Sequence, residues 1–113
     1  MPTLTIKNAY IGQPGVTDVI IYTAPANTVA RVIKCTATNE GATPTTITFH
    51  KVEKGGVVGN NRLLMNEGII GDKETYDCPG VVGQTLNPEM FISVVAGDAD
   101  MVTVSLDVAE STR

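Results

Sequence analysis

Hydrophobic and polar side chains alternate with a period of two in the clearest segments of this chain. In the segment TTITFHKV, residues 45–52, Ile47 and Phe49 alternate with threonines and with His50. Residues 101–108 show the same pattern, with valines and a leucine at every second position. Successive side chains of a strand point to opposite sides of a sheet, and β-branched residues fit its pleated surface. Both segments are therefore predicted to be strands with one buried face.

Six further strands are predicted from short runs rich in β-branched and other apolar side chains. They cover residues 4–11, 19–23, 28–39, 62–65, 74–78 and 90–95. Clusters of Gly, Pro, Asn and Asp separate these runs, and the chain has 11 Gly and 6 Pro. The least regular part is 55–71, where we expect a long loop with a short strand around 63–65. Residues 110–113 are expected to fray.

About eight short strands and no helical period of useful length predict an all-β fold. Because most of these strands have one apolar face, an antiparallel two-sheet β-sandwich is favoured over a barrel. The 113 residues correspond to one domain, 1–113. With no Trp and only 4% aromatic residues, the core should be mainly aliphatic. Its predicted members are Ile33, Cys35, Ile47, Phe49, Ile92, Val102, Val104 and Leu106.

The charge pattern argues against two classes of partner. The net charge is −4, and the 8 basic residues are scattered along the chain. Nucleic-acid-binding proteins usually carry a clustered basic face, and helices that lie on membranes do so too. No apolar run approaches the roughly 20 residues of a membrane span, and residues 1–4 lack the features of a signal peptide. We therefore expect no nucleic-acid or membrane partner, and a protein made and used without export.

No group of side chains has the spacing of an active, metal or cofactor site. His50 is the only histidine, it is on the polar face of its strand with no nucleophile beside it, and it is expected to be a solvent-facing or a contact residue. Asp98 and Asp100 lack the further ligands of a calcium loop, and the run 55–59 lacks the Lys and Ser or Thr of a phosphate loop. The interpretation is a non-enzymatic protein without a cofactor. A solvated acidic rim is predicted for Asp72, Glu74 and Asp77.

The two cysteines, Cys35 and Cys78, have none of the spacings that indicate a metal or redox motif. We expect both thiols to be reduced, with Cys35 in the core. A disulfide between them requires that the fold bring their Cα atoms within about 7 Å.

Two segments carry a resemblance to a known group of proteins. The stretch YTAPANTVARVIKCTATNEGATPTTITFHKV, residues 22–52, has a TAPAN corner, a long strand ending in NEG, and a Thr-rich partner strand. The stretch NPEMFISVVAGDADMVTVSLDV, residues 87–108, has a strand, a Gly-Asp turn, and a last strand with an acidic residue near its end. This pattern resembles small jelly-roll capsid decoration (cement) proteins of tailed bacteriophages, or related phage virion β-sandwich proteins.

The resemblance implies a jelly-roll-like sandwich with a structural role in a virion. A decoration protein of this kind would bind the major capsid protein on the capsid exterior and associate with itself as a homodimer or homotrimer. It would be made in the cytoplasm of the host bacterium. A tail, neck or fibre component of the same fold is the alternative. A carbohydrate-binding β-sandwich is less favoured, because such a site needs exposed aromatic residues and this chain has few.

Residues 19–22 are apolar on both faces of their predicted strand, whereas one face of a sandwich strand should be polar. Alternation puts the even-numbered residues on one face and the odd-numbered residues on the other. One pair serves the core, and the other must be covered by a loop, a second subunit or the shell. The N-terminal segment, residues 1–10, is the next candidate for reaching a neighbour, since its end is expected to be free to extend. The candidate subunit or shell contacts are Val19, Ile20, Ile21, Tyr22, Leu4 and Ile6.

Overall fold

Nine β-strands form the regular structure of the computed structural model, which describes residues 3–59 and 63–112. They are β1 (Thr3–Gly12), β2 (Val19–Thr23), β3 (Thr28–Asn39), β4 (Thr45–Val52), β5 (Leu63–Ile70), β6 (Thr75–Tyr76), β7 (Thr85–Leu86), β8 (Phe91–Ala96) and β9 (Val102–Thr112). Every pairing between them is antiparallel. Within the described ranges, no helix has the length and apolar character needed to cross a membrane.

The strands are divided between two sheets. The first sheet has the order β1-β9-β3-β6, with the short β7 also paired to β3, and the second has the order β2-β8-β4-β5. If β6 and β7 are taken as one interrupted strand, this order is the double Greek key of an eight-stranded jelly roll. The predicted fold class, an all-β antiparallel two-sheet sandwich of jelly-roll type, is confirmed.

The core lies between the sheets and follows the predicted period of two. In β9, every second side chain from Val102 to Glu110 is buried, and the intervening ones are partly exposed. Seven of the eight predicted core residues have exposed fractions of at most 1%, and these are Cys35, Ile47, Phe49, Ile92, Val102, Val104 and Leu106.

Ile33 is the predicted core residue that the structure places outside, with 41% of its surface exposed. The pairing of β3 with β9 shifts register between Val32 and Lys34, so Ile33 is an extra residue in the strand. A bulge of this kind interrupts the alternation of side chains. As a result, Val32 and Cys35 are both buried although they are three positions apart. The prediction for Ile33 is wrong because it assumed regular pairing.

The middle of the chain is more regular than predicted. β5 continues to Ile70, where a loop was expected, while Arg62, the first residue of the predicted strand, lies outside the described residues. Glu67 has a positive φ of 48°, and its N–H donates to the Thr48 hydroxyl at 2.9 Å. A side-chain acceptor thus supports the backbone at this irregularity, and the strand continues through a sequence, NEG, that has the composition of a turn.

The C-terminal strand β9 extends to Thr112, with β1 on one side of it and β3 on the other. The prediction that residues 110–113 fray is therefore wrong for residues 110–112. Residue 113 lies outside the described part. The reason is the central position of β9, because hydrogen bonds on both sides hold the end of the strand. Glu110, within this supposed tail, is only 8% exposed.

Candidate assembly surface

Exposed hydrophobic side chains concentrate near the N-terminal strands. Ten large hydrophobic residues among the described ones are exposed. Six of them lie within the first twenty residues, and these are Leu4, Ile6, Ile11, Val16, Val19 and Ile20. Single exposed hydrophobic residues are ordinary on protein surfaces, whereas a concentration of them marks a candidate interaction site.

Five of the six lie on β1 or β2, two strands on one side of the sandwich that we call the β1–β2 side, and Val16 lies in the connection between them. β1 is an outer strand of the first sheet and β2 is an outer strand of the second, and the two strands contact each other. In the part of the chain that the structure describes, each therefore has one edge without a strand partner. Such an edge presents backbone N–H and C=O groups that another chain can pair with.

Leu4 and Ile6 point away from the core at the β1 edge. Leu4 lies opposite Ser111 and Ile6 lies opposite Ala109, both on the outward-facing side of β9. Their exposed fractions are 68% and 67%. Ile11, which the sequence analysis did not select, is equally exposed near the other end of β1. The strand thus presents a row of apolar side chains on the outer face of the first sheet.

β2 does not alternate as predicted. Its pairing with β8 shifts register between Ile20 and Tyr22, so Ile21 is an extra residue. Consequently Ile21 and Tyr22 are both buried within the chain, whereas Val19 and Ile20 are 38% and 55% exposed. The predicted division into odd and even residues is wrong because a bulge changes the face that the chain presents. The candidate contacts at the surface are Leu4, Ile6, Val19 and Ile20.

A polar cluster connects the two sheets behind this surface. The Tyr22 hydroxyl of β2 donates a hydrogen bond to the Glu110 carboxylate of β9, in the opposite sheet. Lys7 Nζ lies 3.2 Å from Glu110 Oε2 and 6.0 Å from the centre of the Tyr22 ring. Burial, followed by the hydrogen bond to Glu110 and the charge of that group, raises the pKa of Tyr22 above its ordinary value. Through these contacts, Lys7, Tyr22 and Glu110 connect β1, β2 and β9 on the β1–β2 side.

Tyr22→Phe is expected to lower the free energy of unfolding by about 1–2 kcal/mol at neutral pH, because the buried Glu110 carboxylate loses a hydrogen-bond donor. The variant should also respond differently to alkaline pH. Since the folded-state pKa of Tyr22 is raised, the folded protein keeps a proton that the unfolded chain releases above about pH 10. Stability therefore falls as pH rises through that value, by at most about 1.4 kcal/mol per pH unit for this group.

Urea unfolding between pH 8 and pH 11 measures this effect, using Tyr76→Phe as a matched control. Tyr76 is partly exposed, so Tyr76→Phe removes a phenol hydroxyl without touching the hydrogen bond between Tyr22 and Glu110. The raised pKa of Cys35 contributes a slope of the same sign, and all three proteins retain it. Equal slopes in wild type and Tyr22→Phe would contradict the assignment.

His50 is buried, with 6% exposure, so of the two expected positions, solvent-facing or at a contact, the solvent-facing one is wrong. The segment that leads into β2 packs against this part of the second sheet, where the Ala96 N–H donates to the Gly15 carbonyl at 3.0 Å. Asp18 Oδ1 of that segment lies 3.6 Å from His50 Nδ1. Ser93 is directly opposite His50, but its hydroxyl has no hydrogen-bond partner among the described residues. A nucleophile activated by a base requires such a bond.

The carboxylates named in the sequence analysis do not come together into a site. Asp72, Glu74 and Asp77 are exposed, and the carboxylate of Asp98 accepts a hydrogen bond from the Thr45 hydroxyl at 2.6 Å. Across residues 3–59 and 63–112, no three His, Cys, Asp or Glu side chains are grouped so that they could hold a metal ion.

Comparison of sequences gives no relative, since neither a protein-family model nor a curated protein matches the chain. Comparison of structures does find similar folds. One similar structure is a protein described under the words "Bacillus endospore appendages form a novel family of disulfide-linked pili". Its TM-score is 0.54 and its sequence is 15% identical, and the match covers 99% of this chain and 90% of that chain.

Two others are from infectious bursal disease virus. The Gx strain structure has a TM-score of 0.56 with 11% identity, and the T13 viral particle has a TM-score of 0.57 with 10% identity. Both cover 99% of this chain but only 33% and 31% of the viral chains, so this protein spans about a third of their length. At these identities the likeness concerns the fold, a β-sandwich found in a pilus and in viral particles.

Proposed function

We propose that this protein is a non-enzymatic structural subunit of a bacteriophage virion, a capsid decoration protein that binds the major capsid protein on the outside of the shell. The observation that carries the proposal is the apolar β1–β2 side of a small jelly roll. Leu4 and Ile6, on the outer face of the first sheet, and Val19 and Ile20, on β2 of the second sheet, are the proposed contacts with a second copy or with the shell. The resemblance of residues 22–52 and 87–108 to phage virion proteins, and the fold shared with viral particles, support the same role.

Self-association follows from the edges of the sheets. Among the described strands, β6 has two residues, β5 is interrupted at Glu67, and β2 has five residues with a bulge. β1 offers ten residues, and its first part pairs regularly with β9 as far as Asn8. Two copies paired antiparallel through β1 would extend the first sheet across a two-fold axis. A homodimer is therefore favoured over a homotrimer.

The charge of the protein agrees with a role on the capsid exterior that involves protein partners alone. Because the net charge is −4 and the basic residues are scattered along the sequence, neither a nucleic-acid nor a membrane partner is proposed. Synthesis in the cytoplasm of the host bacterium followed by binding to the capsid exterior requires neither catalysis nor a cofactor. Many weak, identical contacts around a shell act together, so each site needs only modest affinity.

A fibre or tail component of the virion is a second candidate, and one observation favours it. The pilus structure that shares this fold matches along 90% of its own chain, so a domain of this size can be most of a subunit in a filament. The number of copies per particle separates the two candidates. A decoration protein covers the shell in many copies, whereas a tail, neck or fibre component is present in a small fixed number.

Ile6→Asp and Ile20→Asp test the contact surface. A buried charge at a subunit contact is costly, so each variant is expected to weaken self-association or shell binding by about tenfold or more while the domain still folds. Native mass spectrometry measures self-association, and co-sedimentation with capsids that lack the protein measures shell binding.

Ile69→Asp is the matched control for this experiment. Ile69 is 74% exposed on β5, the outer strand at the far side of the second sheet, so the same substitution is made away from the β1–β2 side. Wild-type assembly and shell binding by both folded test variants would overturn the contact assignment. A protein that associates normally but never binds shells would instead argue against the decoration role.

A further inference from the structure

The two cysteines meet beside the place where β3 pairs with the short strand β6. β3 pairs with β6 through Ala37 with Tyr76 and through Thr38 with Thr75. Extending this antiparallel register by two residues brings Cys35 opposite Cys78. Opposed residues of an antiparallel pair have Cα atoms about 4.5–5.5 Å apart, inside the range of about 4.4–6.8 Å that a disulfide accepts.

Both side chains point into the same core. Cys35 is 1% exposed and Cys78 is 0% exposed, and both belong to the buried hydrophobic cluster as free thiols. The adjacent Cys78 thiol, and then burial, raise the pKa of the Cys35 thiol. The Cys78 thiol also donates toward the Tyr76 carbonyl, with a distance of 3.6 Å from sulfur to oxygen. The two sulfurs therefore interact although the sequence separates them widely.

The segment around Cys78 is the less firmly held of the two. β6 ends at Tyr76, and Cys78 has a φ of 45°, in the left-handed region that non-glycine residues seldom adopt. A surface cleft lies beside the pair, lined by Ile33, Lys34, Cys35, Asp77, Pro79 and Val82. The cleft is lined by Cys35 and by Asp77 and Pro79, the two chain neighbours of Cys78. Because a short segment with few ladder hydrogen bonds opens locally at low cost, such opening gives a small reagent in this cleft access to Cys78.

We propose that Cys35 and Cys78 form a redox-sensitive pair that closes into an intramolecular disulfide when the protein meets a small-molecule disulfide. The Cys78 thiolate attacks one sulfur of the reagent, which forms a mixed disulfide and releases one thiolate. Cys35 then loses its proton and attacks the Cys78 sulfur, which forms the internal bond and releases the second thiolate. The two protein thiols lose two electrons, and the reagent is reduced to two thiols.

The bond would connect β3 to the segment that follows β6. Closing the loop between residues 35 and 78 restricts the unfolded chain and so stabilises the folded protein. A protein made in a reducing cytoplasm would carry free thiols, and the same protein outside the cell would carry the bond. The inference concerns the chain itself and holds whatever particle it assembles into.

Incubating the purified protein with oxidised glutathione tests the proposal. The wild type is expected to lose two hydrogen atoms by intact mass, to show a linked Cys35–Cys78 peptide after digestion, and to gain roughly 5–15 °C in Tm. Cys35→Ala should stop at a glutathione adduct on Cys78 with no comparable gain in Tm. Cys78→Ala should react far more slowly, because its remaining thiol lies within the 12-residue strand β3, which is paired with β9 and does not open locally.

Three results would overturn the proposal, and none requires a folded variant. One is a folded wild type that keeps both thiols under conditions in which the urea-unfolded chain forms the bond. Another is a covalent dimer on a non-reducing gel in place of the internal link. The third is an internal bond that lowers the Tm. Because the isolated protein is used throughout, each result leaves the assembly and shell-binding measurements unaffected.

Discussion

Phe49→Ala is expected to lower the free energy of unfolding by about 3–5 kcal/mol. Phe49 has no exposed surface and lies in β4, opposite Met65 of β5 and Val94 of β8. It is the largest of the fully buried side chains among the described residues, so alanine would leave a large cavity. Urea unfolding followed by circular dichroism measures the change.

Phe49→Leu is the control for volume, because it retains most of the buried apolar surface. Its cost should be about 1–1.5 kcal/mol, clearly below that of the alanine variant. If Phe49→Ala cost less than about 1 kcal/mol, Phe49 would not be at the centre of the core as the structure has it.

Asn39→Ala is expected to cost about 2–4 kcal/mol, although the residue stands in a segment with the composition of a loop. Asn39 has no exposed surface. Its amide donates to the carbonyls of Thr43 at 2.8 Å and Ile70 at 3.1 Å, and its side-chain oxygen accepts from the Gly41 N–H at 2.8 Å. Alanine would leave these three backbone groups without their partner, and buried polar groups without partners are costly.

Asn8→Ala is the matched control, since the Asn8 amide also donates several hydrogen bonds but does so on the exposed face of β1, including one to Asp107 at 2.8 Å. Water can replace these bonds, so the loss should stay below about 1 kcal/mol. Thermal unfolding of both variants measures the difference, and equal losses would show that Asn39 does not organise the β3–β4 connection.

The pairing of strands limits how far the candidate surface could be predicted. Val19 and Ile20 could be selected from sequence because residues 19–22 are apolar on both faces of their strand. Leu4 and Ile6 were selected because the N-terminal segment was expected to extend to a neighbour. The exposure of Ile20 and the burial of Ile21 depend on a bulge against β8, which β2 alone does not reveal. Ile33 in β3 was misplaced for the same reason.

Long-range contacts explain the other differences. His50 has the polar neighbours of a solvent-facing residue, and it is buried because a segment more than thirty positions earlier covers it. Glu110 looks like part of a charged tail, and it is buried because Tyr22 of the other sheet donates to it. The strand β7 has two residues, too few for any period to show.

The sequence by itself determined the fold class, most of the strands and seven of the eight predicted core residues. These follow from alternation and turn composition, which act between residues close in the chain. The tertiary structure alone decided the register, the bulges at Ile21 and Ile33, the burial of His50 and Glu110, and the meeting of Cys35 with Cys78. Each of these depends on which distant strand lies alongside and at what offset, and a strand's own residues specify its faces but not its partner.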